Sequence, residues 1–171
     1  MLTTERLTIR LIEENDWDKL LEIWIDFGRS AYAKYDVPHI TTEPEVKAKT
    51  KQWADVSHGG EHMFYAVCLH DEMIGYVDFH KNDSGYECGY CFHSAYHGQG
   101  YAKESLKALL ANLPRENSQR CIAGTALKNT PSVHLLHTLG FRKVGVERVS
   151  FYQDQHGHPI FFDGGIFVYD L

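Results

Sequence analysis

The sequence predicts a mixed α/β domain in which helices pack against one sheet. Segments that alternate polar and apolar residues, as half-buried strands do, occur at both ends of the chain and in its middle. Between them lie segments whose apolar residues recur at the spacing of amphipathic helices. In chain order the elements are βααβββαβαββ, with no linker and no internal repeat, so we predict that residues 1–171 form a single domain.

The first third of the chain is predicted to form one strand and two helices. Residues 3–12 alternate as a strand does, and the segment NDWDKLLEIWI then places its apolar residues on one helical face. Asn15 or Asp16 is the expected N-cap of this helix. Thr42 and Glu45 form a capping-box pattern, which predicts the start of the second helix.

A three-stranded antiparallel meander and a third helix are predicted to follow. The runs MFYAVCLH and MIGYVDFH are rich in strand formers and are separated only by Asp71-Glu72, which is the spacing of a tight hairpin. The run GYECGYCF begins after the turn residues NDSG and supplies the third strand. The segment after Gly100 has helical apolar spacing up to Pro114, which stops the helix.

The last third of the chain is predicted to form a buried strand, a helix and two long strands. The run RCIAGTAL is almost continuously apolar, which indicates a strand within the sheet. The fourth helix is expected to have Thr130 as its cap, Pro131 in its first turn and Gly140 at its end. The two closing strands are joined by a turn at QHGH.

Composition and charge narrow the class of protein. The chain is 43% hydrophobic with a net charge of -6, so a nucleic-acid backbone would be repelled, whereas a cationic substrate such as an amine would be tolerated. No apolar run approaches the ~20 residues needed to cross a bilayer, and the N-terminus lacks the apolar core of a signal peptide. We therefore expect a cytoplasmic protein whose cysteines are reduced thiols.

Two glycines stand immediately before the third predicted helix, in the segment HGQGYA at residues 97–102. The first turn of a helix has unpaired backbone N–H groups and partial positive charge, so it binds phosphate, and glycines let the preceding loop approach the anion closely. The segment is interpreted as a pyrophosphate-binding loop; a glycine-rich connection without a ligand is the alternative. Lys103 at the last glycine position argues against the dinucleotide fingerprint, and no Gly-Lys-Ser/Thr follows as in a P-loop.

These residues resemble the GNAT superfamily of acetyl-CoA-dependent N-acetyltransferases. His97 to Ala102 is similar to the family's Gln/Arg-x-x-Gly-x-Gly/Ala signature, apart from His97, where Arg or Gln is usual. TERLTIRLIEENDWDKLLEI and ECGYCFHSAYHGQGYAKESLKALL resemble the branch that contains the ribosomal-protein N-terminal acetyltransferases, and NTPSVHLLHTLGF is similar to that branch's Asn-x-x-Ser helix. Together the matching segments cover most of the chain in the family's order.

The resemblance implies a fold, a donor and a set of contacts. The fold is a mixed, mostly antiparallel sheet of about seven strands, with helices on both faces and a parallel strand pair that splays near the middle. The donor is acetyl-CoA as a co-substrate, no metal takes part, and the amine attacks the thioester carbonyl directly. A backbone N–H near Phe92 is directed at the acetyl oxygen. The residues implied in cofactor binding are Phe92, His93, Ser94, His97, Gly98, Gln99, Gly100, Tyr101, Ala102, Asn129 and Ser132.

Glu87 stands at the Glu-x-Gly-Tyr position that related sequences often use as a catalytic base, commonly through water. Desolvation between Tyr86 and Tyr90 could raise its pKa towards useful basicity, and the alternative is a solvated strand glutamate. Strand parity places Glu87 and Phe92 on opposite faces of the sheet, unless a bulge lies between them.

Ser132 is the second catalytic candidate, because the resemblance places it where it could donate a proton or hydrogen bond to the departing thiolate. The alternative is ordinary helix-start chemistry, which does not demand a serine at this position. Many family members carry a tyrosine general acid near the middle of this helix, where this chain has Leu136. A module that binds acyl-CoA without turnover is therefore the competing functional class.

The acceptor amine is the least constrained partner. The resemblance suggests a protein or peptide N-terminus, while polyamines, amino acids and antibiotics stay open because residues 27–40 match no motif. Neither nucleic acid nor a membrane is a predicted partner, and a homodimer is left open. Cys88 and Cys91 point to opposite faces of a strand, so no metal or redox site is predicted for them.

Overall fold

An eight-stranded sheet forms the centre of the computed structural model, which describes residues 1–114 and 120–171. Its strands are β1 (Leu2–Thr3), β2 (Leu7–Leu11), β3 (His62–Leu69), β4 (Glu72–Asn82), β5 (Gly85–Phe92), β6 (Arg120–Ala126), β7 (Arg142–Gln153) and β8 (Pro159–Asp170). The strand order is β1-β2-β3-β4-β5-β6-β8-β7, and every neighbouring pair is antiparallel except β5 and β6. The mixed, mostly antiparallel sheet predicted from the sequence is confirmed.

The described sheet has one strand more than predicted, because the strand expected over residues 3–12 is broken by a turn. The Thr4 N–H donates to the Leu7 carbonyl at 2.9 Å, and the Leu7 N–H donates to Thr4 Oγ1 at 3.0 Å. The chain reverses there, so β1 folds back onto β2 as a two-residue strand.

Four α-helices pack on the two faces of the sheet in the described part of the chain. They are α1 (Trp17–Gly28), α2 (Glu43–Ser57), α3 (Tyr101–Asn112) and α4 (Thr130–Leu139). The buried residues of α1 and α2 belong to one core cluster and those of α3 and α4 to another, so the helices cover both faces as predicted. We call these the α1–α2 face and the α3–α4 face. None of the described helices is long and apolar enough to cross a membrane.

Each face has its own apolar core. On the α1–α2 face, Trp53 stacks on Phe64 with ring centroids 4.2 Å apart, and Trp24 Nε1 donates to the buried Tyr76 hydroxyl at 3.2 Å. On the α3–α4 face, Leu136 of α4 is fully buried against the sheet. The sheet is therefore covered on both sides, and an opening for ligands depends on a gap between strands.

The predicted start of α1 is confirmed in position, whereas that of α4 is wrong by one residue. Asp16 is the N-cap residue of α1, although its carboxylate accepts two hydrogen bonds from the Arg10 guanidinium, both at 2.7 Å, instead of accepting from the first turn of the helix. Asn129, not Thr130, is the N-cap of α4, and its side-chain oxygen accepts from the Ser132 N–H at 3.4 Å. Asparagine and threonine both cap helices, so the sequence alone does not decide between the adjacent residues Asn129 and Thr130.

The gap lies between β5 and β6. Within residues 1–114 and 120–171 these parallel strands pair over 85–87 and 120–122. Beyond that point β5 continues along β4 to Phe92, while β6 continues along β8 to Ala126. The two strands part into a wedge near the middle of the sheet, which confirms the predicted splayed pair.

Candidate active site

A cleft of about 600 Å³ opens at the wedge between β5 and β6. Its lining comes from β4, β5 and β6, the end of α1 and the segment that joins it to α2, the start of α4, and the β7–β8 hairpin. Glu87, Asn129 and Ser132, which the sequence singled out from distant segments, meet in this lining. The glycine loop at residues 97–102 follows the end of β5 and lies outside the lining of the cleft.

Side chains from both faces of β5 reach the cleft. Successive residues of a strand point to opposite faces. Tyr90 and Phe92 pack with the α3–α4 core, whereas Glu87 has the opposite parity. The ladder between β4 and β5 runs without a register shift, so no bulge restores a shared face. Because β6 has left the ladder, Tyr90 and Glu87 nevertheless line one cleft.

On the α3–α4 side, two hydroxyl groups meet at the wedge. Tyr90 Oη and Ser132 Oγ lie 2.7 Å apart, so one hydroxyl donates to the other. Burial raises the pKa of Tyr90 well above its ordinary value, which keeps its hydroxyl protonated and able to donate. Sequence reasoning missed Tyr90 as a functional group, although it belongs to the Glu-x-Gly-Tyr segment. Leu136 is buried in the core, so the middle of α4 supplies no hydroxyl.

On the α1–α2 side, the cleft is lined by carboxylates and aromatic rings. Among the described residues no lysine or arginine contributes to the lining. The carboxylates belong to Asp36, Asp78, Glu87 and Glu147. The rings include those of Phe27, Tyr32, Tyr35, Phe151 and Phe162. A negative, aromatic surface attracts a cation, so this side of the cleft suits a protonated amine.

Asp78 is built into this surface through its neighbours on β4 and β5. His80 Nε2 lies 3.0 Å from Asp78 Oδ1, and His80 Nδ1 lies 2.9 Å from His62 Nδ1. The hydrogen bond with Asp78 raises the pKa of His80 above its ordinary value. A Cβ at Gly89 would lie 2.7 Å from Asp78 Oδ2, so a larger residue here would require that carboxylate to shift.

Of the two alternatives for Glu87, the structure favours a solvated strand glutamate, because its side chain is exposed and not enclosed by Tyr86 and Tyr90. Tyr86 is buried in the α3–α4 core, on the opposite face of β5. A role for Glu87 as a base therefore rests on its position in the cleft and not on desolvation.

The glycine loop has the backbone form that an anion-binding helix start requires. Gly98 and Gly100 have left-handed φ angles of 72° and 85°, which residues with a Cβ adopt at a cost. Gly100 is the N-cap of α3, and no side chain of the described residues caps this helix. A Cβ at Gly98 would point into open space. Unpaired N–H groups beside open space fit a pyrophosphate.

The polar side chains of the loop form hydrogen bonds with backbone carbonyls of the preceding residues. His97 Nε2 lies 2.8 Å from the Phe92 carbonyl oxygen, and Gln99 Nε2 donates to the Ala95 carbonyl at 3.1 Å. These contacts occupy the side chains of His97 and Gln99. The backbone N–H groups of the loop are the donors that could face a phosphate.

The segment after β5 is held by a residue that sequence reasoning missed. The Asp26 carboxylate accepts from both the Ser94 N–H and the Ser94 hydroxyl, each at 2.7 Å.

The His93 N–H donates to the Ile74 carbonyl on β4 at 3.0 Å. Because N–H groups alternate in direction along an antiparallel strand, the Phe92 N–H faces away from β4 and towards the wedge.

Two cysteines line the cleft, and burial suppresses the reactivity of both. Burial raises the pKa of Cys91 to about 12. The pKa of Cys88 is raised by the neighbouring Cys121 thiol and by burial. Neither side chain is a ready thiolate nucleophile at neutral pH. In residues 1–114 and 120–171 no group of three or more His, Cys, Asp or Glu side chains could hold a metal ion.

The sequence matches a known protein family and its relatives. Residues 6–142 match the family model described as acetyltransferase (GNAT) domain. YnaD of Bacillus subtilis (strain 168), an uncharacterized N-acetyltransferase, is 33% identical over 149 residues, which is 84% of each chain.

Solved structures share the whole fold. An acetyltransferase (GNAT family) from Bacillus anthracis is 26% identical with a TM-score of 0.74, covering 99% of this chain and 97% of that one. RimL, a ribosomal L7/L12 alpha-N-protein acetyltransferase in complex with coenzyme A, has a TM-score of 0.83 at 17% identity, with the same coverage of 99% and 97%.

Proposed function

The chain belongs to the GNAT acetyltransferase family, and from that membership we propose that it transfers the acetyl group of acetyl-CoA to a primary amine by direct attack. The observation that carries the proposal is the cleft at the β5–β6 wedge, where hydroxyl groups lie on one side of β5 and carboxylates on the other. The two sides match the needs of a thioester donor and of a cationic acceptor.

The donor side is proposed to hold acetyl-CoA, which supplies the acyl group as a thioester. The glycine loop at 97–102 would take the pyrophosphate, and the end of β5 with Asn129 would take the pantetheine arm. The Phe92 N–H, which faces the wedge, would donate to the acetyl oxygen as negative charge develops there. The complex of the similar protein RimL with coenzyme A supports this assignment.

Tyr90 and Ser132 are proposed to assist the departure of the thiolate. Their hydroxyls lie 2.7 Å apart, and the raised pKa of Tyr90 keeps its hydroxyl protonated, as a hydrogen-bond donor and a weak acid. A hydrogen bond from this pair to the sulfur stabilises the leaving group. Ser132 keeps the role that the sequence predicts, with Tyr90 in place of the tyrosine that α4 lacks.

The acceptor side is proposed to attract the ammonium form of the amine and to remove its proton. Asp36, Asp78 and Glu147 supply negative charge, and Glu87 accepts the proton directly or through water. Direct attack is favoured over a covalent enzyme intermediate because Cys88 and Cys91 are held as thiols by their raised pKa values.

Thiol release with a panel of amines tests the proposal. The panel contains peptides with free N-termini and small amines, each assayed with acetyl-CoA, and calorimetry with CoA runs in parallel. The expected result is CoA binding together with thiol release for at least one amine class. Binding without release for any amine would favour the non-catalytic module instead. Turnover of small amines alone would refute a protein N-terminus as the acceptor.

The homodimer and the cytoplasmic location stay predictions. Light scattering of the purified chain at several concentrations measures the first, and microscopy of a tagged chain in its own cell measures the second.

A further inference from the structure

Arg6, which lies in the turn between β1 and β2, contacts the glycine loop from outside the motif. Its Nη1 donates to the Gln99 carbonyl at 3.0 Å, and its Nε donates to Glu104 Oε2 at 2.7 Å. Its guanidinium lies over the Tyr101 ring, 4.5 Å from the centroid. One side chain from the N-terminal turn thus touches both the loop and the first turn of α3.

Glu104 is the reason that this contact bears on phosphate binding. It lies in the first turn of α3, close to the proposed pyrophosphate site. Burial acts against ionisation, but hydrogen bonds from Thr4 and Arg6 lower the pKa of Glu104. The side chain is therefore an anion, and an uncompensated anion at this position would repel a bound phosphate.

Arg6 offsets that charge and orients the loop backbone. The Arg6 Nη2 lies 2.6 Å from Glu104 Oε2, and the Arg6 backbone N–H donates to Glu104 Oε1 at 3.1 Å. The bond to the Gln99 carbonyl also sets the next peptide plane, because C=O and N–H point in opposite directions across a trans peptide. The Gly100 N–H is thereby directed away from Arg6.

We propose that Arg6 is a positioning residue for coenzyme A, which neutralises Glu104 and holds the peptide of Gln99 and Gly100 so that the loop accepts a pyrophosphate. This inference rests on the proposed function of the glycine loop. It concerns the nucleotide half of the donor only, since Arg6 does not line the cleft in which the acetyl group reacts.

Two donors separate this role from a general effect on folding. Acetyl-CoA carries the pyrophosphate, and S-acetylpantetheine carries the same thioester without it. For Arg6→Ala we expect the KM for acetyl-CoA to rise about tenfold at unchanged kcat, because charge-assisted hydrogen bonds are lost at the phosphate site. The kcat/KM for S-acetylpantetheine should stay within about twofold of the wild-type value. Arg142→Ala is the control, because it removes a second exposed arginine that is paired with a carboxylate, that of Asp170.

Arg6→Lys provides a second variant. It keeps the charge opposite Glu104 but not the fork that reaches Gln99 as well, so a KM between those of wild type and Arg6→Ala is expected. Equal losses with both donors, or no loss with either, would overturn the proposal. Failure of the wild-type protein to bind CoA in calorimetry would instead overturn the proposed function itself.

Discussion

On the α3–α4 side of β5 the cleft presents hydroxyl groups, whereas on the α1–α2 side it presents carboxylates. Tyr90 and Ser132 represent the first side, and Glu87 and Asp78 the second. A thioester needs hydrogen-bond donors for its oxygen and sulfur, while an ammonium needs negative charge and a proton acceptor. We propose that each face of the cleft suits one of the two substrates.

Glu87 can line the same cleft as Tyr90 although the two side chains differ in strand parity. Glu87 and Tyr90 are an odd number of residues apart, so they point to opposite faces of β5. In a closed sheet they would be separated by the neighbouring strand. The wedge beyond the last β5–β6 pair lets both line one cleft, so their opposite parity is compatible with the proposed donor and acceptor sides.

The largest effect is expected from removing the donor side's backbone site. Gly100→Val adds a branched side chain at a φ of 85°, and calorimetry should show CoA affinity lowered by about 100-fold or more. Gly157→Val is the matched control, since Gly157 has a φ of 82° in the β7–β8 turn, away from the loop. If both variants bind CoA alike, the glycine loop is not the phosphate site.

A smaller effect is expected from removing one hydroxyl of the donor side. Tyr90→Phe keeps the ring in the core but removes the partner of Ser132, so kcat should fall by about 10- to 100-fold with CoA affinity unchanged. Tyr86→Phe removes a hydroxyl on the same face that bonds to the Pro114 carbonyl, and it should leave kcat unchanged. Unaltered kcat in Tyr90→Phe would remove the hydroxyl pair from the mechanism.

The smallest effect concerns the acceptor side and is a dependence of stability on pH. The Asp78 hydrogen bond raises the pKa of folded His80, so protonated His80 stabilises the fold below the ordinary histidine pKa of about 6.5. This contribution is lost as the pH rises through the raised value. The Tm advantage of wild type over His80→Gln should be about 1–2 °C larger at pH 5 than at about pH 9, and the effect is this small because His80 is partly exposed. A constant Tm difference would contradict the assignment.

The donor side was more predictable from the sequence than the acceptor side. Residues 97–102 form one continuous segment, and helix-start chemistry depends on local spacing, so the backbone form of the glycine loop follows from its motif. The Arg6 contact was not predictable, because it depends on how the N-terminal turn packs against α3. The choice of Asn129 over Thr130 as a cap was not predictable either, because both residue types cap helices.

The acceptor side is assembled from segments that share no spacing. Asp36, Asp78 and Glu147 come from a loop and two strands, and the sheet order brings them together. That order, and the absence of a bulge before Phe92, follow from long-range pairing that periodicity does not reveal. The close approach of the Asp78 carboxylate to Gly89 likewise depends on the pairing of β4 with β5.

Glu87→Gln tests most directly whether one face of β5 binds the acetyl donor while the other face deprotonates the acceptor amine. CoA affinity is measured by calorimetry, and kcat/KM for an accepted amine is measured by thiol release. Glu14→Gln, an exposed glutamate away from the cleft, is the control. If the two faces have these separate roles, CoA affinity should stay within about twofold of wild type, and kcat/KM should fall by about tenfold or more. An equal loss of CoA affinity, or an unchanged kcat/KM, would contradict it.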